Sequence, residues 1–153
     1  MRSTRWLDED EQRAWRTFIQ MSSRLTARLH RQLQTDSGLS LADYEVLVHL
    51  TDTPGGRLRP YELQRVMQWE QSRLSHHLTR MERRGLVCRD ACTADGRGAY
   101  VALTDTGRSA IEQAAPGHVE AVRRVFLDGL SGEQLALLER LSAQVMERLE
   151  EAP

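Results

Sequence analysis

The chain has 153 residues and a mass of 17.5 kDa, room for one domain with a real core. Hydrophobic residues make up 40% and charged residues 28%, which excludes a disordered chain, a collagen-like repeat and a disulfide scaffold. The net charge of -1 hides an asymmetry: from Arg57 to Arg108 there are 10 Arg against 6 acidic residues, a balance of +4, while the rest of the chain balances to -5. A basic middle between acidic flanks points to a local anion-binding surface, and every basic residue is Arg, whose forked donors suit phosphates and guanine edges.

The amino terminus, MRSTRWLDEDEQ, turns acidic at once and has no apolar stretch of the kind a secretory signal needs. No apolar run approaches the ~20 residues of a membrane helix, so the expectation is a cytoplasmic protein without a membrane partner. From Asp8 to about Gln34 the chain reads as one long helix, with Trp15, Phe18, Ile19, Ser22, Leu25 and Leu29 at three- and four-residue steps. Acidic residues at its start and Arg28 and Arg31 near its end complement the helix dipole, and Asp36-Ser37-Gly38 stops it. Ser40, with Asp43 three residues on, caps a second helix whose apolar face is Tyr44, Leu47, Val48 and Leu50.

Thr53-Pro54-Gly55-Gly56 makes a turn, and Arg57-Leu58-Arg59 reads as a short extended piece. Pro60 suits the first turn of a third helix that carries Leu63, Val66 and Met67 inward. A fourth helix runs from about Gln71 to Arg84, with Leu74, Leu78 and Met81 on one face. At 100° per residue, Ser72, Arg73, His76, Thr79, Arg80 and Arg83 spread over the other. Gly85 stops it. Leu86 to Arg89 and Tyr100 to Leu103 read as the two strands of a hairpin around a turn from Thr93 to Gly98, with Arg97 at or near the tip. Thr104 or Asp105 caps a fifth helix in which Pro116 predicts a kink or break near Ala115. Ser131 caps a last helix carrying Leu135, Leu138, Leu141, Val145 and Leu149.

Two short helices followed by a β-hairpin is the order of a winged helix-turn-helix, in which the second helix enters the major groove and the hairpin reaches beside it. The charge excess falls on this segment. Short polar residues on the fourth helix allow close approach, Arg73, His76, Arg80 and Arg83 offer donors to phosphates or base edges, and an Arg97 flanked by glycines suits a minor groove. His77 lies nearer the apolar face and reads as a packed histidine.

The segment QSRLSHHLTRMERRGLVCRD followed by DGRGAYVALTDTG resembles the MarR family of bacterial regulators. The resemblance is carried by Ser72-Arg73-Leu74-Ser75, Met81-Glu82 to Gly85, Asp95 and Arg97, and Leu103-Thr104 to Gly107. It covers nearly the whole chain. It implies a mainly α (α+β) fold, with an N-terminal dimerisation helix over residues 1–38, a winged helix-turn-helix lobe over 39–108 and C-terminal dimerisation helices over 109–153. It further implies a homodimer on a pseudo-palindromic stretch of double-stranded DNA. Gln71, Ser72, Arg73, Ser75 and His76 take the groove positions, Arg80 lies near the backbone and Arg97 occupies the wing. Asp95 matches a wing aspartate that holds an Arg, here Arg83 or Arg84. The family's small aromatic or phenolic effectors bring in Trp15, Phe18, Ser22, Tyr44, His49 and His118 as candidate ligand residues. The family's peroxide sensors use a Cys in the first helix, and here no Cys precedes Cys88.

Other readings are weaker. On a strand, Cys88 and Cys92 would stand about 13 Å apart, too far to bridge, and they read as reduced thiols. The adjacent His76 and His77 point about 100° apart and do not share one metal ion, so neither metal nor cofactor is expected. The chain has no P-loop, G-x-G-x-x-G, H-E-x-x-H or G-x-S-x-G, so an enzyme is not expected. The expected function is a sequence-specific regulator, a ligand-released repressor. The alternative is a helical protein-interaction module on the same fold without DNA binding.

Overall fold

Asp8 starts the first helix by accepting from the Glu11 backbone N–H at 2.9 Å, while the Glu11 carboxylate accepts from the Asp8 N–H at 3.0 Å. The helix so begun, α1 (Glu9–Ser37), ends at Gly38, whose φ of 70° is the left-handed conformation that glycine adopts freely. The structure, a computed structural model, describes residues 3–91 and 99–151. Along the chain follow α2 (Leu41–Asp52), β1 (Arg57–Leu58), α3 (Pro60–Met67), α4 (Gln71–Arg83), β2 (Val87–Ala91), β3 (Ala99–Leu103), α5 (Asp105–Val125), a 3-10 turn (Leu127–Gly129) and α6 (Gly132–Glu151). The strands form an antiparallel sheet in the order β1-β3-β2, with Cys88 opposite Ala102 and Arg57 opposite the same residue from the other side. This is the mainly helical winged helix-turn-helix expected. None of the described helices is long and apolar enough to cross a membrane.

The chain divides into two compact units, Met1–His118 and Val119–Pro153. The core of the first is built from the end of α1 (Leu33), α2 (Val46, Leu47, Leu50), α3 (Leu63), α4 (Leu74, Leu78, Met81), the sheet (Val87, Val101) and α5 (Ile111). Each fully buried leucine contributes about 1.5–3 kcal/mol. Ser40 and Asp43 form a full capping box, Ser40 Oγ accepting from Asp43 N and Asp43 Oδ2 from Ser40 N, both at 2.9 Å. Thr104, not Asp105, caps α5: its Oγ1 accepts from Gly107 N at 2.9 Å. Gly107 is required there, because a Cβ at that position would overlap the Leu86 carbonyl oxygen. Ser131 and Gln134 close a capping box on α6.

Three expectations are corrected. Val66 is 52% exposed rather than inward: it lies about 60° off the position of Leu63, on a side of the short α3 left open by the described residues. Val46, unremarked in the α2 pattern, is fully buried, whereas Tyr44 and Val48 are half-buried. Pro116 does not break α5. Pro116 and Glu112 are both exposed, so the carbonyl that loses its donor faces water, while Ile111, Ala114 and His118 hold the other side of the helix down.

Candidate nucleic-acid interface

The turn before α4 is tight. Gln68 takes a left-handed φ of 53°, tied by its amide to the Arg65 carbonyl at 2.7 Å, and Trp69 then packs half-buried against the core. From there α4 splits by its period. Leu74, His77, Leu78 and Met81 are buried, and Gln71, Ser72, Arg73, Ser75, His76 and Arg80 are all exposed. The structure therefore leaves the five predicted groove residues of α4, and Arg80, predicted near the backbone, all on its open side. No acidic residue stands in the first turn, and Glu82 is turned to the sheet, accepting from Arg89 N at 3.1 Å.

The arginines of this surface are held. The Arg73 guanidinium stacks on the Trp69 ring, 3.9 Å from its centroid, and Trp69 meets His77 edge-on at 5.3 Å. Arg80 Nη2 donates to His77 Nδ1 at 3.3 Å. His77 Nε2 lies 3.0 Å from Asp43 Oδ1, close but not aligned as a hydrogen bond. Arg84 Nη1 donates to Asp43 Oδ2 at 2.6 Å, and its Nη2 to the Gly38 carbonyl at 3.0 Å. Burial opposes a charge on Asp43, yet the His77 and Arg84 side chains and the Ser40 N–H outweigh it and hold the carboxyl well below the usual carboxylate range. Arg84, one of two sequence candidates to hold Asp95, is thus engaged by α2 and the end of α1. Asp95, Arg97 and Cys92 lie outside the described residues.

At the sheet, Arg57 and Arg59 each approach the Tyr100 ring to 4.7 Å, and Arg89 Nη2 reaches the Ser75 carbonyl at 3.4 Å. The sequence reading missed Trp69 and Arg89 as partners of α4, Asp43 with Arg84 beneath it, and the Arg57–Tyr100–Arg59 stack at the sheet. A tryptophan four residues before Arg73 was the one local signal.

The six candidate ligand residues do not converge. Tyr44 and His118 meet with ring centroids 4.4 Å apart, and His118 Nδ1 donates to Gln32 Oε1 at 3.1 Å, the Gln32 amide being oriented by its other bond to Asp36. Burial raises the Tyr44 hydroxyl pKa and lowers that of the His118 imidazole. Trp15 and Phe18 stack on each other at 6.2 Å and are 57% and 52% exposed on α1. Ser22 and His49 are half-buried. A groove of about 410 Å³ between α1, α2, Trp69 and Arg73 is lined by none of the six. Among the described residues, no cluster of three His, Cys, Asp or Glu is placed to hold a metal.

The fold is shared with a solved structure. AbsC, a MarR family transcriptional regulator from Streptomyces coelicolor, is 41% identical and superposes with a TM-score of 0.92 over 97% of this chain and 100% of that one. The chain belongs to the MarR family of transcriptional regulators. Residues 37–98, from the end of α1 to just before β3, match the MarR family model. Sco3205, a MarR family regulator of the same organism solved in complex with DNA, is also 41% identical, with a TM-score of 0.92 over 96% of this chain and 92% of its own. The HTH-type transcriptional repressor YetL of Bacillus subtilis (strain 168) is 30% identical over 112 residues, 73% of this chain and 66% of YetL.

Proposed function

We propose that the chain is a homodimeric repressor that binds double-stranded DNA through α4 and the wing. The observation that carries this reading is the exposed face of α4, polar along its length and bearing Arg73 and Arg80, in a fold shared at 41% identity with a regulator solved on DNA. Gln71, Ser72, Arg73, Ser75 and His76 face the major groove, Arg80 a phosphate, and Arg97, supported by Asp95, the neighbouring minor groove. YetL's description as a repressor supports the sign of regulation.

The dimer is supported by apolar surface that the single chain leaves open. Trp15, Phe18 and Ile19 on α1, and Leu135, Leu141 and Val145 on α6, are each 45–57% exposed at helical spacing. Residues 1–38 and 109–153 are accordingly the dimerisation segments, and 39–108 the DNA-binding lobe. Pairing would set two α4 helices roughly 34 Å apart on successive major grooves. A small aromatic or phenolic effector bound beside Tyr44 and His118 changes that spacing, and it shifts DNA affinity only by its differential affinity for the two arrangements.

The test is fluorescence anisotropy with the duplex upstream of the chain's own gene and a scrambled control, across a salt series. Selective binding with log affinity falling by about 0.9 per neutralised phosphate is expected, and loss of binding in Arg73→Ala/Arg80→Ala. Binding that survives both substitutions refutes the assigned surface. No binding to either duplex at low salt favours a protein-interaction module instead.

A further inference from the structure

We infer that His77 is a positioning residue for the DNA-facing side of α4, acting through Arg80; the inference rests on the DNA-binding reading above. Arg80 is charged at all working pH values and has donors but no acceptor. Its 3.3 Å contact with His77 Nδ1 therefore requires that nitrogen to be unprotonated, and the ring's one proton sits on Nε2, facing Asp43 at 3.0 Å. The two nitrogens of one buried ring thus join two different partners, a carboxylate on α2 and an arginine on the open face of α4.

The ring has little freedom to turn. His77 is 7% exposed, and Trp69 stands against its face or edge at 5.3 Å in a T-shaped contact. The charged groups that meet it are Asp43 from α2, Arg80 from α4, and Arg84 through Asp43; the turn contributes the uncharged Trp69. Asp43 is itself fixed by Arg84 and by the Ser40 N–H. Position is handed outward along this chain: the capped start of α2 fixes Asp43, Asp43 orients the imidazole, and Nδ1 holds one N–H of Arg80. Nη1 and Nε of Arg80 remain for a phosphate oxygen. An exposed arginine otherwise loses much of its freedom on binding, and one already held loses less, so the contact strengthens DNA binding without touching DNA.

The test is a double-mutant cycle on DNA affinity, read by anisotropy at a temperature where thermal unfolding shows each variant folded. His77→Leu fills the site without polar atoms, and affinity is expected to fall by about 5–20-fold. His77→Gln, whose single amide offers a donor to Asp43 and an acceptor to Arg80, restores most of it. In the Arg80→Ala background, His77→Leu changes affinity by less than about twofold. An equal loss with and without Arg80 marks His77 as a general packing residue and overturns the inference, as does no loss at all. If Arg80→Ala leaves affinity unchanged while Arg73→Ala lowers it, the inference falls and the DNA-binding reading stands. If the unaltered protein binds no duplex, both fall.

A second measurement avoids substitution at the core. Long-range 1H–15N spectra of the native protein should show a proton on His77 Nε2 and none on Nδ1, and the surface change Arg80→Ala should move the Nδ1 resonance. A proton on Nδ1, or an Nδ1 resonance indifferent to Arg80, overturns the inference.

Discussion

Asp43→Ala should destabilise the fold far more than a substitution near the start of a helix ordinarily does. Three losses add. The buried His77 Nε2 loses the carboxylate that stands 3.0 Å away, a close polar contact, at about 1–2 kcal/mol. The Ser40 N–H loses its partner in the capping box, at about 0.5–1 kcal/mol. Arg84, whose side chain is 44% exposed, returns to water and forfeits under about 1 kcal/mol. The total is about 1.5–4 kcal/mol, which lowers the urea midpoint by about 1–2 M at a slope of about 2 kcal/mol per M, usual for small proteins. The unfolding is measured at fixed protein concentration, since the proposed pairing of chains would contribute to apparent stability. A loss below about 0.5 kcal/mol would refute the reasoning. The sign with pH gives a second check. A carboxyl held below its usual range contributes stability above its unfolded pKa of about 3.9, and that contribution drains as pH falls towards the folded value. The gap between native protein and variant should therefore narrow from pH 5 to pH 3, and a constant gap would count against the ion pair.

Further outcomes follow from other parts of the chain. Gly107→Ala should cost at least about 2 kcal/mol in the same urea assay, because the new methyl meets the Leu86 carbonyl oxygen, whereas Gly129→Ala, with open space around it, should stay within about 0.5 kcal/mol. Leu141→Arg with Val145→Arg should shift the mass in light scattering from twice 17.5 kDa to 17.5 kDa; an unchanged mass would remove α6 from the proposed dimer interface. His118 should titrate by NMR below 6.5, because burial disfavours its charged form. Its contribution to stability is then complete above that value and lost as pH falls through the lowered pKa, so His118→Gln should flatten the acid limb of the stability profile there.

What the sequence made legible is local. Ser40 with Asp43, Ser131, Gly38 and Gly85 announce helix ends because caps act within three or four residues, and the structure uses each of them. Leu103-Thr104-x-x-Gly107 was legible as a pattern, and its cause emerges in the fold: the cap and the close approach of Leu86 O. The illegible parts depend on what a side chain meets across the fold. Asp43 reads as half of a capping box, and nothing nearby shows that Arg84, 41 residues on, shares its carboxylate. The stripe of Trp15, Phe18 and Ile19 was correctly periodic, but periodicity names a buried face without naming what buries it. In the single chain these residues are 45–57% exposed. Val66 shows the same limit in miniature, since a helix of 8 residues has too few turns to define a stripe.

The period of α4 explains how one 13-residue helix serves two faces without conflict. Positions 73, 76 and 80 recur at three- and four-residue steps on the open side, while His77 and the cap residue Arg84 stand seven apart, about 20° from alignment after two turns. Both can therefore reach one carboxylate on α2, and α4 is gripped at its middle and at its end. A grip at two points along a helix fixes its direction as well as its position, and a single central contact would leave it free to pivot. Apolar packing through Leu74, Leu78 and Met81 holds α4 down but is tolerant of sliding and rotation, because dispersion has little directionality. The polar grip supplies the direction. Arg84→Leu should then leave most of the stability in place yet weaken DNA binding with the salt slope unchanged, since no phosphate contact is removed. A salt slope reduced by about 0.9 would instead place Arg84 on the DNA.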